Sequence, residues 1–501
     1  MKWLCRMASG FLFVAASSAD HTDWVDHAII YGVTPYIFTE QGRLDGITAK
    51  LPELAELGVN TLWLQPLFAN HGGGQGYDII DYFQLRDDVG SEEDLRELVR
   101  TSHNLGIRVI LDFPINHTSI KHPYAQDTIQ RGAESPYYDY YQREPDTVRY
   151  ARHYRTRTEG KMSFVHYFWE DMPNLNHDHP AVRRKLIEAG RHWIERFDID
   201  GYRLDASWGM NYRSPSFLPE WREAMKEIKP DILILGEDKA TDPRAFENRY
   251  DVAYDWAAGD DWVSQWAWEV DYTDDRNDSR TIFNHTPADQ RAAALRRALT
   301  NDGQGYPENA RVLRFMENND TARFIQAHGL PRTRMAAALL FALDGIPMIF
   351  NGQEVGESRH PYETGPLFAH DQSIRARDQH GLFDYYAKLA RMRTAHPALR
   401  AGSFHELDIT PGDALFAFAR RKGDETILTA VNLAETPKED AVIHIPAQSW
   451  ALEEDVTWRL TDLLTEEQFE VNTAELSRLT LPLDSYQVRI MRLDSLAHSA
   501  P

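Results

Sequence analysis

Asp198-Ile-Asp-Gly-Tyr-Arg-Leu-Asp-Ala206 is the stretch of sequence that decides the fold. It follows a segment of helical period, turns at Gly201 and continues as a short apolar strand that ends in an acid, Asp205. In a fold of parallel strands, a carboxylate at the C-terminal end of a strand lies where ligands bind, and Arg203 points to the same side. An arginine at that position holds the acid ionised. A strand that happens to end in a solvated Asp is the alternative, and the rest of the chain decides between the two.

The strand-then-helix pattern repeats on both sides of this stretch. Short apolar runs alternate with segments of helical period, which is typical of βα units around a parallel sheet. The predicted strands are residues 28–35, 61–66, 108–113, 201–205, 231–237, 251–255, 311–317 and 346–350. Eight strands with intervening helices predict an α/β fold, a (β/α)₈ TIM barrel.

A glycine-rich loop, His71-Gly-Gly-Gly-Gln-Gly-Tyr-Asp78, follows the second predicted strand. It lacks the Lys-Ser/Thr pair of a phosphate-binding loop, which argues against a nucleotide site. We therefore predict a flexible loop that delivers Tyr77 and Asp78. Further along, Ser91-Glu-Glu-Asp94 has the pattern of a capping box and predicts the start of a helix that Gly106 ends.

The regular pattern is interrupted once and later changes. Residues 118–176 have no sustained period and separate a strand from its expected helix, which is typical of an excursion domain at a barrel mouth. From about residue 398 strand patterns occur without helices, which predicts an all-β sandwich domain. The predicted domains are a signal peptide (1–19), the catalytic barrel (20–117 and 177–397), the excursion domain (118–176) and the C-terminal β-sandwich domain (398–501).

The composition is that of a large acidic globular protein. The 501 residues include 54 Lys and Arg against 77 Asp and Glu, a formal net charge of −23. This charge argues against nucleic acid or an anionic membrane as the partner and favours a neutral ligand. The 13 Trp and 22 Tyr suit the stacking of sugar rings, although most aromatic residues in a chain of this size belong to the core.

Residues 1–19 have the pattern of an export signal. Lys2 and Arg6 give a basic start, a short apolar run follows, and Ser17-Ser-Ala19 is a small-residue cleavage site. We expect an extracytoplasmic protein, periplasmic or secreted, and a disordered N-terminus of a cytoplasmic protein is the alternative. Cys5, the one cysteine, lies in this segment, so the mature chain is predicted to lack disulfides and thiolate metal sites. No later apolar run approaches the roughly 18 residues that span a bilayer.

Three predicted strands of the barrel end in acids. Asp205 follows the fourth strand, Glu237 the fifth and Asp320 the seventh. Because the C-terminal ends of barrel strands converge on one mouth, we expect the three carboxylates to lie together. Glycoside hydrolysis needs one carboxylate to attack or activate water and a second that stays protonated, and a third can stabilise positive charge on the sugar.

Four segments along the predicted barrel resemble, in order, the sequence motifs of the α-amylase family, glycoside hydrolase family 13. They are Asp112-Phe-Pro-Ile-Asn-His117, Gly201-Tyr-Arg-Leu-Asp205, Gly236-Glu237 and Glu317-Asn-Asn-Asp320. Gly58 to Pro66, Met172-Pro-Asn-Leu-Asn176 and Gly345-Ile-Pro-Met-Ile-Phe-Asn-Gly-Gln-Glu354 resemble supporting motifs of the same family. The resemblance covers the chain from about residue 28 to residue 355.

The resemblance implies roles for individual residues. Asp205 is implied to be the nucleophile that forms a glycosyl-enzyme, Glu237 the general acid/base and Asp320 the stabiliser of the transition state, with retention as the outcome. The implied substrate-binding residues are Arg203, which orients the nucleophile, Tyr77, which stacks under the sugar, His117, which binds a sugar hydroxyl, and Asn319. No cofactor is implied for the chemistry.

Two positions depart from the family pattern. Asn319 stands where the family usually has a His before its fourth-motif acid, and an amide donates a hydrogen bond but carries no charge. Gly209 stands four residues after the predicted nucleophile, where α-amylases commonly place a calcium-linked His. The usual calcium site therefore lacks an expected member, while Asn116 and Asp171 remain as oxygen donors for a structural calcium ion.

Three functions are compatible with these residues. The first is an exported retaining hydrolase of starch-derived α-glucans or maltooligosaccharides. The second is a transglycosylase or isomerase that passes the same glycosyl-enzyme to a sugar acceptor, and the third is a non-catalytic carbohydrate-binding relative, which would require a lost carboxylate. Ala206 after the nucleophile resembles enzymes of α-1,4 bonds more than α-1,6 specialists. Because little sequence precedes the first strand, we expect no N-terminal domain of the cyclomaltodextrinase kind.

Overall fold

A computed structural model describes residues 23–72, 75–144, 154–256, 286–362, 365–454 and 456–496. Within these residues, eight parallel strands pair in chain order and close into a barrel, with the first strand bonded to the last. The predicted (β/α)₈ barrel is therefore confirmed. Its strands are β1 (Ile30–Val33), β2 (Thr61–Leu64), β3 (Arg108–Phe113), β4 (Gly201–Leu204), β5 (Leu233–Lys239), β6 (Val252–Tyr254), β7 (Val312–Phe315) and β8 (Ile346–Phe350).

The barrel strands are buried on both faces, as expected where helices cover the outside of a parallel sheet. Side chains that point inward form one apolar cluster, with Ile30, Trp63, Ile110, Leu235 and Leu313 among its members. Side chains that point outward join the larger cluster beneath the helices. This packing fixes the strand ends and the side chains that project from them.

Helices lie between the barrel strands, in the excursion segment and in the C-terminal part. They are α1 (Leu44–Leu57), α2 (Glu92–Asn104), α3 (Pro123–Arg131), α4 (Pro180–Phe197), α5 (Phe217–Lys226), α6 (Arg291–Leu299), α7 (Phe324–Ala342) and α8 (Leu382–Ala395), with one-turn helices at Pro35–Phe38, Met210–Arg213, Pro397–Ala401 and Thr473–Leu476. The predicted capping box of α2 is present, because Ser91 Oγ accepts from the Asp94 backbone and the Asp94 carboxylate accepts from the Ser91 backbone. Between β5 and β6 the connection is a 3₁₀ turn, Pro243–Phe246, rather than an α-helix.

Among the described residues, two small two-stranded antiparallel sheets are separate from the barrel and from the C-terminal sheet. Phe68–Asn70 pairs with Ile79–Leu85, so the segments on either side of the glycine-rich loop form a strand pair that the sequence pattern did not predict. Arg155–Glu159 pairs with Met162–His166 inside the predicted excursion segment, which also contains α3. The excursion segment thus leaves the barrel after β3 and returns at α4.

The C-terminal part is an antiparallel sheet of eight strands, which confirms the predicted all-β domain. Its strands are β9 (Ser403–Thr410), β10 (Leu415–Lys422), β11 (Glu425–Asn432), β12 (Val442–His444), β13 (Thr457–Asp462), β14 (Gln468–Asn472), β15 (Arg478–Thr480) and β16 (Val488–Ser495). β9 pairs with β10 through Ser403–Leu407 and with β12 through Asp408–Thr410, so it joins the two parts of the sheet over a shared apolar cluster. The opposite face, with Phe416 and Ile427, packs on the helices of the barrel.

None of the described helices combines the length and the apolar character needed to cross a bilayer. The predicted signal peptide, residues 1–19, lies outside the described residues.

Candidate active site

Arg203 lies at the centre of the acidic cluster, at the C-terminal end of β4, and is fully buried. Its Nη1 donates to Oδ1 and Oδ2 of Asp112 at 3.0 and 3.1 Å and to Oδ1 of Asp205 at 2.7 Å. Its Nη2 pairs with Oε1 of Glu237 at 3.0 Å. One guanidinium therefore holds carboxylates from the ends of three neighbouring strands, β3, β4 and β5.

The buried Arg203 side chain is supported from the remaining directions by aromatic groups. Its Nε donates to the Tyr254 hydroxyl at 3.1 Å, and its guanidinium carbon lies 5.2 Å from the centre of the Trp63 ring. A buried cation needs both hydrogen-bond acceptors and opposite charge, and Arg203 has both. Although burial opposes the charged form, the surrounding carboxylates raise the pKa of Arg203 further above its usual value.

Glu237 has both carboxyl oxygens engaged. Oε1 pairs with Arg203, and Oε2 accepts from the backbone N–H of Ala206 at 2.5 Å. Burial raises the pKa of Glu237 well above its usual value, and the nearby Asp205 and Asp320 raise it further, against the attraction of Arg203. The raised pKa favours the protonated form, which is the form that a general acid requires.

Asp320 follows β7 and lies across the cluster from the strands that carry the other acids. Burial raises the pKa of Asp320 to about 6, while a hydrogen bond from Tyr362 and the charge of Arg203 lower it. The Asp320 backbone N–H donates to Oδ1 of Asn318 at 2.9 Å, which fixes the turn after the strand. Next to it, Nδ2 of Asn319 lies 3.5 Å from the Tyr362 hydroxyl.

Tyr77 and His117 approach the cluster from two different segments. The Tyr77 hydroxyl donates to Oδ2 of Asp112 at 3.0 Å, which fixes the ring at the edge of the cleft. His117 is buried, and burial lowers the pKa of its imidazole, so the ring is neutral. Asn116 Nδ2 lies 3.3 Å from His117 Nδ1, and within the described residues His117 Nε2 has no hydrogen-bond partner. His117 also lines the cleft.

These groups line one cleft that is open to solvent. Barrel loops form one wall, and the end of the excursion segment contributes the aromatic and thioether side chains of the other. The lining residues are Tyr77, His117, Phe168, Trp169, Met172, Asp205, Glu237, Asn319, Asp320 and Tyr362.

The structure brings together all seven residues that the sequence singled out. Six line the cleft directly, and Arg203 lies beneath them. Sequence reasoning missed two polar members, Asp112 and Tyr362. Asp112 stands at the end of β3 and shares the strand-end position of the other acids, so that signal was available. Tyr362 comes from the long segment after β8, which has no periodic pattern.

The region expected to hold calcium contains an arginine instead. Nη2 of Arg213 donates to Oδ1 of Asn116 at 2.9 Å and approaches His177 Nδ1 at 3.4 Å, and Nη1 donates to the Tyr167 hydroxyl. Across the part of the chain that the structure describes, no group of three or more His, Cys, Asp or Glu residues has a metal-binding arrangement. The residues present do not fit the usual calcium site.

Comparison with known proteins gives two family matches. Residues 16–375 match the family described as Alpha amylase, catalytic domain, and residues 404–493 match the family described as GLGE, C-terminal. These two matches correspond to the barrel with its excursion segment and to the C-terminal sheet.

Individual relatives carry amylolytic names. The chain is 31% identical to a cyclomaltodextrinase of Bacillus sp over 404 residues, which cover 78% of this chain and 65% of that protein. It is 28% identical to neopullulanase 2 of Thermoactinomyces vulgaris, over 94% of this chain and 78% of that protein. The chain thus spans about two thirds of the length of the Bacillus cyclomaltodextrinase.

Solved structures share the fold across nearly the whole chain. A cyclomaltodextrinase structure superposes with a TM-score of 0.74 at 26% identity, covering 94% of this chain and 79% of that one. An α-amylase from Geobacillus thermoleovorans, solved with acarbose, superposes with a TM-score of 0.72 at 24% identity, covering 94% of this chain and 99% of that one. The second likeness concerns the fold alone.

Proposed function

The chain belongs to the α-amylase family, glycoside hydrolase family 13, and from this premise we propose that it hydrolyses α-glucosidic bonds with retention of configuration. The proposed substrates are starch-derived α-glucans and maltooligosaccharides. The observation that carries the proposal is the binding of Asp205 and Glu237 to adjacent nitrogens of Arg203, at 2.7 and 3.0 Å, in one cleft. Retaining glycosidases use two closely spaced carboxylates in this way.

In the first step, a carboxylate oxygen of Asp205 forms a bond to the anomeric carbon. The bond from that carbon to the leaving-group oxygen breaks, and Glu237 gives its proton to this oxygen. The raised pKa of Glu237 supports this role, because burial and the neighbouring acids favour its protonated form, which can donate. Arg203 keeps Asp205 oriented and paired while it carries the negative charge.

In the second step, water attacks the anomeric carbon from the face that the leaving group vacated. Glu237, now ionised, takes a proton from this water, and the ester bond to Asp205 breaks. Two successive inversions give net retention. Asp320, ionised above its pKa of about 6, is proposed to stabilise the positive charge that develops on the sugar ring in both steps.

Three uncharged side chains are proposed to bind the sugar at the cleavage point. Tyr77 offers a ring face whose position is fixed by Asp112, which suits stacking. His117 Nε2 and Asn319 Oδ1 are buried cleft atoms without a hydrogen-bond partner among the described residues, and sugar hydroxyls would satisfy them. Binding of a sugar thus removes the cost of two unsatisfied polar groups.

We also propose that residues 1–19 direct export and that the chemistry needs no cofactor. The basic start and the small-residue site at Ser17-Ser-Ala19 support export. N-terminal sequencing of the exported protein tests it: cleavage after Ala19 is expected, and an intact Met1 in the cytoplasmic fraction would contradict it.

A product profile tests the proposed activity and its substrate range. The relatives' names make cyclodextrins and pullulan informative substrates beside maltose, maltoheptaose and panose. Release of short maltooligosaccharides as the main products supports hydrolysis, whereas longer transfer products at low substrate concentration would support the transglycosylase alternative. The matched control is Asp205→Asn, which removes the proposed nucleophile with little change in volume. Unchanged turnover in that variant would refute the mechanism.

A further inference from the structure

We propose that Arg213 takes the place of a structural metal ion between the barrel and the excursion segment 118–176, and that it positions the excursion wall of the cleft without calcium. Arg213 ends the one-turn helix Met210–Arg213 that follows β4. The family resemblance leads us to expect a calcium ion at this place, and the contacts of Arg213 indicate that the arginine stands there instead. It does not depend on the proposed hydrolysis.

The contacts of Arg213 join the residues on both sides of the excursion segment to a residue near its end. Nη2 reaches Asn116, directly after β3, at 2.9 Å, and His177, where the excursion segment returns to the barrel, at 3.4 Å. Nη1 donates to the hydroxyl of Tyr167, just after the excursion hairpin. The guanidinium also lies 5.3 Å from the centre of the Tyr167 ring, a cation–π contact. One side chain thus bridges both ends of the excursion segment.

The three partners are arranged as acceptors for this cation. The Nε2 atom of His177 lies 2.9 Å from the Ile115 carbonyl oxygen and must donate to it, so Nδ1 is the unprotonated acceptor nitrogen. Asn116 directs Oδ1 to Arg213 because its Nδ2 donates to Asn174 Oδ1 at 3.0 Å. His177 and Asn116 are fully buried, so their orientation is fixed without Arg213 moving them.

Gly209 provides the space that the guanidinium occupies. A Cβ atom at this position would lie 3.1 Å from Arg213 Nη1 and 3.1 Å from the Tyr167 ring. Real Cβ atoms rarely come so close to other heavy atoms, and a His would extend further in the same direction. The loss of the expected His and the presence of Arg213 are therefore two parts of one arrangement.

A calcium ion does not fit the same place. Calcium takes about six to eight oxygen ligands at about 2.3–2.6 Å, mostly from carboxylates and carbonyls. Here the Asn116 oxygen already accepts from a cation, and the other two acceptors are a phenol and an imidazole nitrogen. A divalent ion on Asn116 would also meet the positive charge of Arg213.

The link extends from Arg213 to the cleft. Tyr167 packs against Trp208 with ring centres 4.8 Å apart, and the next two residues, Phe168 and Trp169, line the cleft together with Asp320. Loss of Arg213 would release Tyr167 and with it this aromatic wall. Arg213 is thus a positioning residue that acts on substrate binding rather than on bond cleavage.

The experiment compares the full chain after EDTA dialysis with the same chain in millimolar CaCl₂. The melting temperature of the wild-type protein is expected to agree within about 1 °C in the two solutions. Arg213→Ala is expected to lower the melting temperature by about 5 °C in both. It should also raise KM for maltoheptaose about fivefold or more while kcat stays within about twofold. The matched control is Arg100→Ala, which removes an exposed arginine paired within one helix turn to Glu97.

Arg213→Lys keeps the test decisive if the alanine variant does not fold. A lysine keeps the charge but cannot donate from two rigid nitrogens to Asn116 and Tyr167 together, so a smaller fall in melting temperature is expected. A fall of several degrees in wild-type melting temperature on EDTA treatment, reversed by calcium, would overturn the proposal. The proposal would also be overturned if Arg213→Ala had the same melting temperature as Arg100→Ala, or if Arg213→Lys had the same melting temperature as the wild type. Because melting is read without substrate, these outcomes are independent of the proposed hydrolysis.

Discussion

The backbone N–H of Ala206 donates a hydrogen bond to Oε2 of Glu237 at 2.5 Å. The residue after the proposed nucleophile therefore holds the proposed acid, and Ala206 adopts a left-handed backbone conformation, with φ near 50°, at this contact. Such a conformation is strained for an alanine and is retained where the surroundings fix it. The two carboxylates of the mechanism are thus coupled through the backbone as well as through Arg203.

Glu237→Gln should abolish proton donation while keeping the shape of the site. We expect kcat/KM for maltoheptaose to fall by about 10³-fold or more, because the leaving sugar oxygen needs that proton. For an α-glucoside with a nitrophenol leaving group, the fall should be at least tenfold smaller, since nitrophenolate leaves without protonation. Equal losses on the two substrates, measured by steady-state kinetics, would show that Glu237 is not the acid.

Tyr362→Phe should change the pH dependence of activity. The Tyr362 hydroxyl lowers the pKa of Asp320 by donating to its ionised form, so its removal raises that pKa above the present value of about 6. If Asp320 must be ionised for activity, the acidic limb of the kcat/KM profile moves to higher pH by about one unit. A pKa change of about this size is expected when one charge-assisted hydrogen bond is lost. The activity loss is then large at pH 6 and small at pH 8. An acidic limb at the wild-type position would exclude this link.

Tyr77 allows stacking to be separated from hydrogen bonding. Tyr77→Phe keeps the ring and loses only the bond to Asp112, so kcat/KM should fall by less than about tenfold. Tyr77→Ala removes the ring, and a fall of about 10²-fold is expected. The comparison of the two variants on maltoheptaose gives the contribution of the ring face. A phenylalanine variant as impaired as the alanine variant would assign the role to the hydroxyl instead.

Asp320→Asn should stabilise the protein while it removes activity. The pKa of Asp320 rises from 3.8 when unfolded to about 6 when folded, so its contribution to stability is greatest below pH 3.8 and is lost as the pH rises through 6. At pH 8 the partly buried charge opposes folding, and its removal should raise the free energy of unfolding by about 1–2 kcal/mol. Chemical denaturation at pH 8 and at pH 5 measures the difference, which should shrink at pH 5. A variant less stable than wild type at pH 8 would contradict this.

The barrel and its acidic cluster were predictable because both follow from local pattern. Strand and helix periods predicted all eight barrel strands, and the rule that strand ends converge predicted that Asp205, Glu237 and Asp320 lie together. Arg203 was predictable for the same reason, since it lies two residues from Asp205 on one side of a strand. The same rule applies to Asp112.

The rest depended on contacts that no local pattern encodes. Tyr362 reaches Asp320 across 42 residues, and Arg213 reaches Asn116 across 97 residues from a one-turn helix. The strand pair of Phe68–Asn70 and Ile79–Leu85 was missed because one of its strands has only three residues, too few to show alternation. Such features arise from tertiary packing, which overrides the weak preferences of short segments.

The central claim is that Asp205 attacks the sugar and that the glycosyl-enzyme is then hydrolysed with retention. The most direct measurement is ¹H NMR of the anomeric protons during the first minutes of maltoheptaose hydrolysis, before mutarotation. The account predicts that the newly formed reducing ends appear as the α-anomer and convert later to the equilibrium mixture. First appearance of the β-anomer would contradict it, because inversion needs no covalent bond to Asp205.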